Sequence, residues 1–151
     1  MVSGETNRMY EEVKEEIKKH EGKINKIYND HMGNQTFGIG HLVLETDDLK
    51  EGIEYDDATI MEYFERDFRQ ATDDAQTFIK GETIDPRAFG CVINMAFQLG
   101  LPRLSKFKRF QYHLNKCEYA EAADEMLDSR WAKQTPNRAS ELAEIMRGIN
   151  A

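Results

Sequence analysis

Apolar residues recur along the opening segment at helical spacing. Met9, Val13 and Ile17 fall every four residues among lysines and glutamates, which predicts a helix over 8–20. Gly22 is its natural stop. The pattern then changes. "KINKIYND" and "QTFGIGHLVL" are rich in β-branched and aromatic residues, and the turn-prone "DHMGN" separates them. This predicts a small antiparallel hairpin with a third short strand after it. "ETDDLKEG" reads as a loop.

Helical spacing returns at Asp56, an N-cap opening a long helix to about residue 79. Ile60, Phe64, Phe68, Ala71, Ala75 and Phe78 form its apolar stripe, and Asp67 falls on the edge of that stripe. Asp85-Pro86 is a cap followed by proline at the first helical position. The helix it starts is apolar on all sides and ends at Gly100; such a helix belongs at the centre of a bundle. Three more helices are expected, from near Ser105, near Glu118, and at Thr135-Pro136. The predicted class is α+β, mostly helical. A small lobe with an antiparallel sheet spans about 8–57, a connecting helix about 56–79, and a helical lobe about 80–151. Two lobes joined by one helix leave a cleft, where ligands tend to bind.

Composition narrows the class. With 151 residues, 40% hydrophobic and 32% charged, the chain reads as a globular protein able to bury a core. No apolar run reaches the roughly 18 residues of a membrane helix. The polar start "MVSGETNRMYEEVKEE" lacks a secretory apolar segment, so synthesis and retention in a cytosol are expected. Cys91 and Cys117 lie in no CxxC or Cys/His cluster and are expected as free thiols. The four histidines show no metal-ligand spacing, and neither metal nor cofactor is expected.

The net charge of −8 is uneven. Residues 45–74 hold 12 acids and 3 bases, whereas "LPRLSKFKRFQYHLNKC", 101–117, holds five bases and no acid. A basic strip beside an acidic segment orients a molecule on an anionic surface; two solvated helix faces give the same pattern. One short strip on an acidic chain argues against nucleic-acid binding.

Candidate chemistry sits in "HEGKINKIYNDHMGNQTFGIGH", 20–41. Glu21 ends a helix, where the partly negative carbonyl end disfavours further negative charge and burial pushes the same way. Both favour a protonated general acid. Asp30 opens a wetter turn and stays ionised. Two carboxyls in unlike environments divide acid and base roles at one pH. On composition alone, a surface glutamate, a turn-forming aspartate and a strand-forming Thr36 explain the same residues.

Glu21, Asp30 and Thr36 within "TFGIGH", then "INMAFQLG" at 93–100 and "SRWAKQTPNRA" at 129–139, together resemble the phage lysozyme (endolysin) family, glycoside hydrolase family 24. The resemblance covers nearly the whole chain. It implies a lysozyme-like two-lobed fold and a muramidase cutting the β-1,4 bond between N-acetylmuramic acid and N-acetylglucosamine of bacterial peptidoglycan. By that analogy Glu21 protonates the leaving oxygen, and Asp30 and Thr36 hold the attacking water, giving inversion. An inverting pair needs carboxyls roughly 6.5–9.5 Å apart. Leu42, Phe97 and Gln98 match cleft residues of the family. Arg138 matches an arginine pairing with the catalytic glutamate, which opposes the helix-end effect on its pKa. His41 and Asp67 match a structural ion pair. Phe110 and Glu125 stand where the family's type enzyme has a serine and an asparagine in the saccharide cleft, so a ring that either stacks on sugar or narrows the groove, and an added negative charge, are expected there. The implied setting is an endolysin: a monomer held in the bacterial host cytoplasm, inserting in no membrane, and reaching the wall through a holin lesion to lyse the cell. A lytic transglycosylase on the same bond and a non-catalytic peptidoglycan-binding module are the alternatives; Asp30 and Thr36, suited to holding water, argue against the first, and the intact acid–acid–hydroxyl set argues against the second.

Overall fold

The computed structural model describes residues 4–149. Helix α1 (Gly4–Glu21) leads into strands β1 (Ile24–Asn29), β2 (Gln35–Gly38) and β3 (His41–Leu42), then helices α2 (Asp57–Phe78), α3 (Pro86–Leu104), α4 (Lys108–Asn115), α5 (Tyr119–Leu127), α6 (Arg130–Gln134) and α7 (Pro136–Arg147). The class is therefore α+β and mostly helical, with the three-stranded antiparallel sheet in the order β1-β2-β3.

The boundaries follow from local chemistry. Gly22 takes φ 72°, and its N–H returns to the Lys18 carbonyl at 2.9 Å, so α1 closes in a left-handed cap. α1 reaches back to Gly4 rather than starting at residue 8, because the segment before Arg8 contains no breaker inside the helix. Asp56 caps α2 by accepting from the Thr59 N–H at 2.9 Å. Asp85 accepts from the Arg87 N–H at 2.8 Å, with Pro86 as the first helical residue of α3.

Two boundaries differ from the sequence reading. Ser105 closes α3 instead of opening a helix: its N–H bonds the Leu101 carbonyl at 2.8 Å. The chain does break at Gly100 (φ 75°, ψ 160°), but the turn Leu101–Leu104 resumes helical geometry beyond it. The short α6 was not expected. Ser129 caps it, accepting from the Ala132 N–H at 3.1 Å.

α3 is buried along nearly all its length, including Val92, Ile93 and Met95. It packs against α1, α2 and α7, while α5 packs against α4 and α7. The predicted stripe of α2, from Ile60 to Phe78, is buried throughout. The sheet leans on α2, where Gly38 lets β2 approach: a Cβ there would lie 3.1 Å from Ile60 Cγ2. Cys91 is buried and Cys117 half-buried, and both are free; burial pushes the Cys91 thiol up to about 12. Among the described residues no helix is long and apolar enough to cross a membrane.

Candidate active site

Glu21 is the last residue of α1. Its Oε2 accepts a hydrogen bond from Arg138 Nη1 of α7 at 2.6 Å, and the two side chains are 19% and 7% exposed. Arg138 is itself fixed: its Nε donates to Asn94 Oδ1 in α3 at 2.8 Å, and Asn94 is buried. Gly40 (φ 68°) closes the other side of the carboxyl. A Cβ there would sit 2.6 Å from Glu21 Oε1. Three elements distant in sequence thus hold one carboxyl.

Asp30 stands where β1 turns towards β2. Its Oδ1 accepts from the N–H groups of Met32 at 2.9 Å and Asn34 at 2.8 Å. These bonds, chiefly that of the Asn34 N–H, hold its carboxyl below the ordinary aspartate value. Asp30 is therefore an anion at neutral pH. Thr36 is buried in β2, directly opposite Tyr28 of β1 and Leu42 of β3. Its Oγ1 donates to the Asn34 carbonyl at 3.1 Å. With its proton engaged, the hydroxyl oxygen retains acceptor capacity for a water. Tyr28, opposite Thr36 in β1, lies within electrostatic reach of both acids. Burial pushes its phenol up, and the charges of Glu21 and Asp30 push the same way, so one phenol feels both carboxylates.

Neighbouring strand residues alternate faces, and His41, next to Leu42, turns inward. Its Nδ1 meets Asp67 Oδ2 at 2.8 Å and its Nε2 meets Asp47 Oδ2 at 2.7 Å. Asp47 also accepts from the Leu44 N–H at 2.8 Å. Burial works against a charged imidazole here, but the bonds to Asp67 and Asp47 outweigh it, and the His41 pKa is raised. For Asp47, burial opposes ionisation, yet the bonds from His41 and the Leu44 N–H prevail and lower its pKa. The pair expected from the sequence is thus a three-membered cluster.

Leu42 is 56% exposed beside Thr36. Phe97 is half-buried against Phe64, ring centroids 5.6 Å apart. Gln98 Oε1 accepts from Trp131 Nε1 at 2.7 Å, which fixes the amide oxygen and leaves the NH2 as the side chain's donor.

Phe110 requires a correction. It is 1% exposed and stacks on Phe78 with centroids 5.9 Å apart. On α4 it shares the buried face with Leu114. From the core side it forms part of the floor of a groove, and its 1% exposure leaves almost no ring surface for a sugar. Glu125 does border that groove, of about 640 Å³, with Arg103, Lys106, Arg130 and Trp131. Its charge is partly met by Arg109 Nε at 3.8 Å.

The sequence alone did not point to Tyr28, Asp47, Asn94 or Trp131, nor to the contact of Gly40 with Glu21. Trp131 lay inside the quoted "SRWAKQTPNRA" stretch, and Gly40 inside "TFGIGH"; their partners are visible only in three dimensions.

Residues 18–147 match the family described as phage lysozyme. The chain is 29% identical to a protein named probable T4-type lysozyme 2 of Dictyostelium discoideum, over 91% of this chain and 94% of that one. Probable T4-type lysozyme 1 of the same organism is also 29% identical, over 91% and 95%. The pre-baseplate central spike protein Gp5 of Enterobacteria phage T4 is 26% identical over 87% of this chain, which corresponds to 27% of that protein.

Proposed function

The chain belongs to the phage lysozyme family, and from that premise we propose that it is an inverting muramidase acting on bacterial peptidoglycan. The relatives named T4-type lysozyme support a glycoside hydrolase. The observation that carries the finer reading is the unequal setting of the two carboxyls of Glu21 and Asp30. Glu21 is gripped in a pocket of Arg138 and Gly40 at a helix end. Asp30 is held as an anion by turn N–H groups.

The steps follow. Glu21 gives its proton to the glycosidic oxygen as the C1–O bond breaks. A water accepted by Asp30 and Thr36 attacks C1 from the opposite face, and Asp30 takes its proton. One bond to C1 forms as the other breaks, so the anomeric configuration inverts and a reducing end appears. Arg138 stabilises the glutamate anion left behind. Leu42, Phe97 and Gln98 border the path of the glycan, Gln98 through its free NH2.

Reducing-end analysis of digested sacculi tests this. A new reducing end with β-to-α inversion is expected, and Glu21→Gln abolishes it while keeping the far-UV spectrum of the parent. A 1,6-anhydro end identifies a transglycosylase instead, and retained clearing of permeabilised bacteria by Glu21→Gln removes Glu21 from the mechanism.

A further inference from the structure

One residue before Glu21, a second set of side chains converges between α1 and α7. Glu16 and His20 stand one turn apart on α1, and Glu141 stands one turn beyond Arg138 on α7. A carboxylate oxygen of Glu16, a ring nitrogen of His20 and a carboxylate oxygen of Glu141 all lie within 4.8 Å of one another. His20 Nε2 is 2.6 Å from Glu141 Oε2, and the imidazole is 11% exposed. No other three potential ligands gather this closely among the described residues.

The charges at this point are incompletely matched. Glu16 is half-buried, and its side chain has no hydrogen-bond or ion-pair partner among the described residues. Glu141 shares His20 with a single contact from Lys19, whose Nζ is 3.5 Å away and whose side chain is 64% exposed. Two carboxylates therefore face one imidazole. A small cation with affinity for both nitrogen and oxygen resolves that imbalance.

We propose that Glu16, His20 and Glu141 form a site for a first-row divalent transition-metal ion of the zinc type. Zinc binds histidine nitrogen and carboxylate oxygen at roughly 2.0–2.2 Å, so tetrahedral ligands stand roughly 3.5 Å apart. His20 and Glu141 stand closer than that, at 2.6 Å, Glu16 lies within 4.8 Å of both, and rotamer changes of the two glutamates bring the three to that spacing. The ion replaces the proton between His20 Nε2 and Glu141, water completes the shell, and exposed Lys19 swings aside. A site with an imidazole ligand discriminates against magnesium and calcium, which take oxygen ligands. Histidine spacing in the sequence conceals this set, because the third ligand lies 121 residues downstream of His20. The inference is independent of the hydrolase reading, since its readout is binding.

The test titrates ZnCl2 into EDTA-treated, dialysed full-length protein carrying Cys117→Ser, which removes the accessible thiol. Calorimetry is expected to show one ion per chain, with a higher melting temperature in zinc. MgCl2 and CaCl2 are expected to give no saturable heat. His20→Gln and Glu16→Gln should each weaken zinc binding at least tenfold, while His31→Gln, a substitution in the exposed turn, leaves it unchanged. Absence of saturable zinc binding overturns the proposal, as does full affinity in His20→Gln. If His20→Gln does not fold, Glu16→Gln decides, and undiminished binding there also overturns it.

Discussion

Arg138 Nη1 reaches Glu21 Oε2 at 2.6 Å across 117 residues of sequence. The bond ties the end of α1 to the start of α7, and its geometry depends on a third helix, because Asn94 in α3 holds the guanidinium through Nε.

Asn94→Ala should therefore act at a distance. It leaves Arg138 Nε buried without a partner, where Nη2 already lacks one. An unmet buried donor costs about 1–3 kcal/mol. A lower melting temperature is expected, together with slower lysis because Glu21 loses its fixed counter-ion. A variant with parental stability and parental lysis would show that Asn94 does not position the arginine.

Gly40 and Gly22 separate strain from collision. Both have positive φ, but a Cβ at Gly40 strikes Glu21 Oε1 at 2.6 Å, whereas at Gly22 nothing lies within 4 Å. Each change to alanine costs about 1–2 kcal/mol of left-handed strain. Only Gly40→Ala should also displace the acid. A shift of about 1 Å at a reacting group lowers rate by roughly a hundredfold. Paired melting curves and turbidity assays check this; equal activity loss in both variants would attribute it to backbone strain.

His41 gives a pH signature. Its folded pKa is raised, so its contribution is full below the unfolded value of about 6.5 and disappears as pH rises through the folded value. Asp47 has a lowered pKa; its contribution is full above the unfolded value of about 3.9 and disappears as pH falls through the folded value. The cluster thus stabilises most between those limits. His41→Gln leaves two carboxylates, one of them buried, without their cation and should cost about 3 kcal/mol near pH 5. The melting-temperature gap to the parent should shrink towards both pH 3 and pH 9. A gap constant over that range would assign His41 a packing role alone.

Local rules made much of this molecule legible. The Asp56 and Asp85 caps, the α2 stripe and the Gly22 stop each depend on residues within four positions, and each appears where expected. What stayed hidden joins distant segments. Asp67 on the edge of a buried stripe pointed to a partner, but nothing in the spacing showed that Asp47 completes the cluster. Phe110 carries the opposite lesson. The four-residue interval to Leu114 already put both on one helix face, and both are buried; position-by-position correspondence placed the ring in the cleft, while helical periodicity placed it in the core.

Charge supplies the final prediction. The chain carries −8, yet the groove beside Trp131 is lined by five bases and two acids. At 0.01 M salt the screening length is about 30 Å, so an anionic wall meets the repulsion of the whole molecule. At 0.15 M it is about 8 Å, and the wall meets the groove alone. Lysis should therefore quicken from about 0.01 M to about 0.15 M salt and slow beyond it as the groove's own attraction is screened. Arg103→Glu with Lys106→Glu should lower the maximum several-fold without changing the melting temperature by more than a few degrees, since both side chains are exposed. Rates measured on permeabilised cells across that salt series decide the matter: a monotonic fall from the lowest salt means that repulsion never limits encounter, and an unchanged maximum in the double variant means that the groove is not the face that meets the wall.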